Sequence, residues 1–187
     1  MITDPVPRSS ACRAEYARSD LLTTLALPED DRLRARAAEI ESALSSGLTV
    51  PVRAACAKFL FEAARFYGVP QPKVRVLAAR PVRVFETGAT ELFGDYDLLA
   101  ASIRVWMRTA VQLRVTSFGT FISTLCHEFC HHLDLHLLNF PHTPHTRGFY
   151  LRTALLYHGS RGTPLRPLVW RPIPGGRWTV DWSRMRP

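Results

Sequence analysis

The chain has 187 residues, 47% of them hydrophobic, and a net charge of +8 from 24 basic and 16 acidic side chains. Those values exclude a disordered chain and fit a single globular domain with a real core. No run approaches the roughly 20 apolar residues that span a bilayer, no apolar leader follows a basic start, and Cys12, Cys56, Cys126 and Cys130 do not form a disulfide framework, so the expectation is a cytoplasmic protein with reduced thiols and no membrane partner.

Residues 1–27 carry weak signals and read as an N-terminal extension. Residues 28–47 (PEDDRLRARAAEIESALSSG) predict a helix, with acids in the first turn and a glycine stop. Residues 51–69 predict a second, more apolar helix that starts on a proline and ends at Gly68. Residues 73–87 alternate in places and predict one or two strands around Pro81. Residues 91–110 predict a hairpin with its turn near 94–97, leading into a strand. There Ile103, Val105 and Met107 face one way and Arg104, Trp106 and Arg108 the other. Residues 117–139 predict a long helix, NFPHTPHT a loop, and residues 145–157 a closing helix. The Pro/Arg/Trp-rich tail, 159–187, is expected to pack on or over the body through its tryptophans, or to be partly mobile.

The long helix carries the chemistry. At about 100° per residue, His127 and His131 lie some 40° apart, with Asp134 about 20° to the other side of His127. Phe118, Phe121, Ile122, Leu125, Phe129 and Leu133 fall opposite and can be buried. The segment HEFCH, His127 to His131, therefore sets two imidazoles one turn apart, with Glu128 at the edge of the same polar face. Two such imidazoles can share one zinc ion, and the adjacent carboxylate can take a proton from an attacking water. A site of this type cuts peptide bonds.

A catalytic zinc needs a third protein ligand. No glutamate follows Glu128, so the candidates are Asp134, His136, His142, His145, His158 and Asp181. His136 points away from His127, and His132 borders the apolar face as a structural histidine. The loop NFPHTPHT is long enough to turn the chain back onto the helix. His145, at the start of the next helix, is preferred as the ligand over His142. Asp134 is a natural hydrogen-bond partner for a ligand imidazole.

HEFCHHLD followed by HTRGFYLR resembles the zinc-binding core of the SprT-like metallopeptidases, which include the Spartan group. In that family an H-E-x-x-H helix is followed, after a variable loop, by a third histidine in an H-x-x-x-F-Y setting, here His145 with Phe149 and Tyr150. The resemblance covers about residues 55–158. It implies a small α+β, zincin-like peptidase domain at 28–158 holding one Zn2+ per chain. It also implies an edge strand that takes an extended peptide or protein substrate. The strand at 101–108 is the candidate, with Trp106 and Tyr150 as substrate-binding residues. Tyr150, Tyr157, His132 and Arg152 are the candidates for steadying the oxyanion. Extra histidines in the loop and a tail without counterpart depart from the family. No cysteine lies beyond Cys130, so no zinc ribbon follows. A role on DNA-bound proteins does not carry over. The basic charge allows nucleic acid as a partner, but no motif indicates it.

Overall fold

The computed structural model describes residues 1–85 and 88–185. In chain order its elements are α1 (Ser10–Leu21), α2 (Arg32–Ser45), α3 (Thr49–Tyr67), β1 (Lys73–Ala79), β2 (Val82–Phe85), β3 (Gly88–Glu91), β4 (Gly94–Asp97), β5 (Ser102–Arg108), α4 (Phe118–His136), α5 (Arg147–Arg161), β6 (Trp170–Ile173), β7 (Arg177–Val180) and a closing 3-10 turn (Trp182–Met185). Among the described residues, five α-helices with small mixed and antiparallel sheets make an α+β fold. None of the described helices is long and apolar enough to cross a membrane. All four cysteines are free thiols.

Local chemistry sets the helix ends. Ser9, Ser117 and Thr146 each accept a backbone N–H of the first turn of α1, α4 and α5. Gly68, left-handed at φ 66°, closes α3. The apolar faces of α2, α3 and α4 bury Ile40, Phe59, Leu60, Phe121, Ile122, Leu125 and Phe129 against Ile103, Val105 and Met107 of β5.

The sheet differs from expectation in one respect that matters for function. β5 is central, paired in parallel with β1 (Lys73↔Ser102 to Ala79↔Arg108) and antiparallel with β4 (Gly94↔Val105 to Asp97↔Ser102). The exposed edge on the α4 side therefore belongs to β4, not to residues 101–108. Residues 94–97, expected as the turn, are themselves a strand. The turn follows at 98–101 because the Asp97 carboxylate accepts the N–H groups of Leu99 and Ala100, each at 3.0 Å. The strands expected in 73–87 are β1 and β2; residues 86 and 87 lie outside the described residues.

Both ends of the chain pack on the body. α1 lies on α5, and its buried face is polar: Glu15, Tyr16 and Ser19. β6 and β7 form a hairpin, and Ile2 bridges Thr179 of β7 in antiparallel register.

Candidate metal centre

α4 delivers His127 and His131 from successive turns. His145 comes from the loop that returns to them; it stands just before Thr146, the residue that caps α5, rather than inside the helix. His127 Nε2 lies 3.2 Å from His131 Nε2 and 3.1 Å from His145 Nε2. All three ligand atoms fall within 4.8 Å of one another. Nitrogens at roughly 2.0–2.1 Å around one tetrahedral ion stand about 3.3 Å apart, so the spacing fits a shared metal ion. Burial, reinforced by the neighbouring imidazoles, lowers His127 to about 3 and His131 well below the usual histidine range, which keeps their lone pairs free.

The outward nitrogens fix the rings. His131 Nδ1 hydrogen-bonds Thr143 Oγ1. His145 Nδ1 faces Asp4 Oδ2 at 3.4 Å, and the His145 backbone N–H donates to the same oxygen at 2.8 Å. Burial works against the Asp4 carboxylate, but these bonds hold it below its ordinary range. Phe149, fully buried, stacks on His131 with centroids 4.6 Å apart and meets His127 edge-on at 5.0 Å. The inner Nε2 atoms of His131 and His145 are thus aimed by a partner on the far side of each ring.

Glu128 is buried at 5% exposure and lies against Gly94 of β4. A Cβ built on Gly94 would stand 2.9 Å from Glu128 Oε1. Burial first, and the charge of Asp95 second, push the Glu128 carboxyl up to about 8. A cation at the three imidazoles would draw it back toward the ionised form.

Other expected roles fall elsewhere. Asp134 does not meet an imidazole. It pairs with Arg152 Nη2 at 2.8 Å in a fully buried ion pair, because Arg152 reaches past it to the carbonyls of Ser19 (3.0 Å) and Leu22 (2.6 Å). Arg152 is thereby committed to the α1 junction and is not available to an oxyanion. His142 is turned outward to Glu15 (2.6 Å) and Cys12 (3.8 Å), so the histidine brought to His127 and His131 is His145. His132 is structural: its Nε2–H donates to the Pro70 carbonyl at 2.7 Å and its Nδ1 accepts from Tyr96 Oη at 2.8 Å. Trp106 is buried on the face of β5 opposite Val105, with the Arg104 guanidinium 5.9 Å from its ring. Tyr150 does reach the cluster, stacked on His145 at 5.8 Å.

Asp4, Thr143 and Gly94 escaped the sequence reading. Thr143 lies between His142 and His145, so its position in a histidine-rich loop was a signal. Asp4 and Gly94 gave none.

One turn before His127 and Glu128, the polar face of α4 opens into a groove of about 780 Å³. Ser123 and Thr124 form one wall, and Tyr157, Leu168 and Trp182 are among the residues opposite. No protein-family model matches the chain, and neither a curated protein nor a solved structure matches it.

Proposed function

We propose that the protein is a zinc-dependent, zincin-like metallopeptidase of SprT-like type that hydrolyses peptide bonds in polypeptide substrates. The observation that carries this reading is the convergence of the His127, His131 and His145 Nε2 atoms beside the buried carboxyl of Glu128. Three converging imidazole donors favour zinc among the common divalent ions. Bound there, zinc supplies Lewis-acid polarisation of the peptide carbonyl and lowers the pKa of water to near 7.

The chain's own groups do the rest. Glu128, one residue from the first ligand, takes the proton of the attacking water and passes it to the leaving amine. Burial of Glu128 against Gly94 strengthens that carboxylate's action and limits stray water. Tyr150, whose ring packs on His145, would donate its hydroxyl to a peptide carbonyl.

The test is metal content by elemental mass spectrometry together with cleavage of an unstructured protein. Wild type should hold one zinc per chain and cut. Glu128→Gln should keep the zinc and lose cutting by about a thousandfold or more, the scale of general-base loss. His145→Ala should lose the zinc. Wild-type cutting by Glu128→Gln, or no zinc in the parent, ends this reading.

A second reading, a latent enzyme or metal-binding module, is favoured by one observation: residues 1–4 lie on His145 and Tyr150, and Trp182 and Met185 line the groove one turn before His127.

A further inference from the structure

Residues 1–4 run as an extended strand beside the metal centre. Thr3 N donates to the Trp178 carbonyl (2.8 Å), Trp178 N donates to Thr3 Oγ1 (2.8 Å), and Val180 N donates to the Met1 carbonyl (3.2 Å). Asp4 N donates to the His145 carbonyl at 2.9 Å. The segment thus bridges β7 to a proposed metal ligand by main-chain bonds. This is how an added peptide strand binds a sheet edge.

Two details make it more than a tether. Tyr150 Oη, stacked on His145, donates to the Ile2 carbonyl at 2.9 Å. The hydroxyl of a ring packed against His127 and His145 is therefore already holding a peptide carbonyl. Met1, at the end of the segment, is part of the wall of the 780 Å³ groove with Ser123 and Thr124. The groove's remaining wall is largely aromatic and aliphatic, with Phe93, Leu168, Trp182 and Met185. Ile2 is half exposed and Met1 is 39% exposed, so neither apolar side chain is locked into the core. Its hold is chiefly hydrogen bonding, which trades readily against another peptide's main chain.

Resting on the metallopeptidase reading, we propose that Met1–Thr3 occupies the path of the substrate, while Asp4 stays on His145. The substrate is an unfolded polypeptide segment that pairs with the edge of β7, gives a carbonyl to Tyr150 and places a large apolar side chain in the groove. The chain's own segment must leave before substrate enters. The tethered segment competes at an effective concentration in the millimolar range, so free peptide binds the intact chain poorly.

The experiment measures binding, not turnover. The probe is an acetylated peptide, Met-Ile-Thr-Asp-Pro-Val, carrying fluorescein at its C-terminus. It is titrated by fluorescence anisotropy into zinc-loaded full chain bearing Glu128→Gln, alone or with Thr3→Pro or Thr3→Ala. Thr3→Pro removes both hydrogen bonds to Trp178, and Thr3→Ala removes only the hydroxyl. Two such bonds are worth about tenfold in closure, so Thr3→Pro should tighten peptide binding by about tenfold and Thr3→Ala by a smaller factor. Circular dichroism and zinc content report whether each variant is folded. If Thr3→Pro does not fold, Thr3→Ala decides alone. Folded, zinc-replete variants that bind the peptide no better than their parent overturn the proposal and leave the metallopeptidase reading standing. A parent without zinc overturns both.

Discussion

Gly94 offers a direct test of where the catalytic carboxyl sits. Its missing side chain leaves room for α4: a Cβ there would stand 2.6 Å from Thr124 Cγ2, 2.9 Å from Glu128 Oε1 and 3.0 Å from Glu128 Cγ. An ordinary contact begins at 3.4 Å. In Gly94→Ala, Glu128 Oε1 must therefore retreat by about 0.5 Å and Thr124 Cγ2 by about 0.8 Å for van der Waals contact alone. Thr124 cannot simply rotate, because its Oγ1 donates to the Thr120 carbonyl at 3.0 Å. Overpacking of this kind costs about 1–3 kcal/mol of stability. Displacing a catalytic group by about 1 Å costs about a hundredfold in kcat, so a loss of about ten- to a hundredfold is expected from the smaller shift. Zinc content should stay at the wild-type level, since the atoms nearest a Cβ at Gly94 belong to Thr124 and Glu128. Adding Thr124→Ala should recover stability without recovering activity, because it relieves the methyl clash and leaves the Glu128 clash in place. The assays are kcat/KM on an unstructured protein, zinc content and urea unfolding. A Gly94→Ala variant with wild-type kcat/KM would refute the placement of Glu128 against β4.

Two further predictions concern the scaffold. Arg152→Met should destabilise the fold by about 3–5 kcal/mol, since it strands the buried Asp134 carboxylate and two α1 carbonyls, whereas Arg152→Met with Asp134→Leu should recover much of that loss; urea unfolding in the presence of chelator measures both. Burial holds His132 down at about 4, against 6.5 in the unfolded chain, despite the opposing hydrogen bond to Pro70. A depressed histidine stabilises the fold fully above pH 6.5 and loses that contribution as pH falls toward 4. Between those limits the wild type should lose up to about 3 kcal/mol more than His132→Gln, whose profile lacks this step, and parallel profiles for the two proteins would count against a neutral, hydrogen-bonded His132.

The helices that form the core, and the motif on one of them, were legible because their signals are local. The apolar stripe of α4 repeats every turn, and the same periodicity puts His127, Glu128 and His131 together on its other side. Ser and Thr caps and Gly68 mark helix ends within a few residues. Even His145 could be chosen, since a short loop limits where the chain can return. α1 could not be seen this way. Its buried residues Glu15, Tyr16 and Ser19 are polar; Thr146, Arg152 and His142 satisfy Ser19 and Glu15 from more than 125 residues away, and Tyr16 donates to the Asp4 carbonyl.

Strand order escaped for a related reason. Alternation along β5 reports which side chains face the core, but the backbone hydrogen bonds that pair it with β1 and β4 leave no mark on side-chain type. The same holds for Asp4 on His145, Gly94 against Glu128, and Arg152 taking Asp134 away from the imidazoles. Periodicity and spacing determine what one element presents. Which distant carboxylate, carbonyl or missing side chain meets it is decided when the chain closes on itself, by contacts between residues whose separation in sequence gives them no shared local pattern.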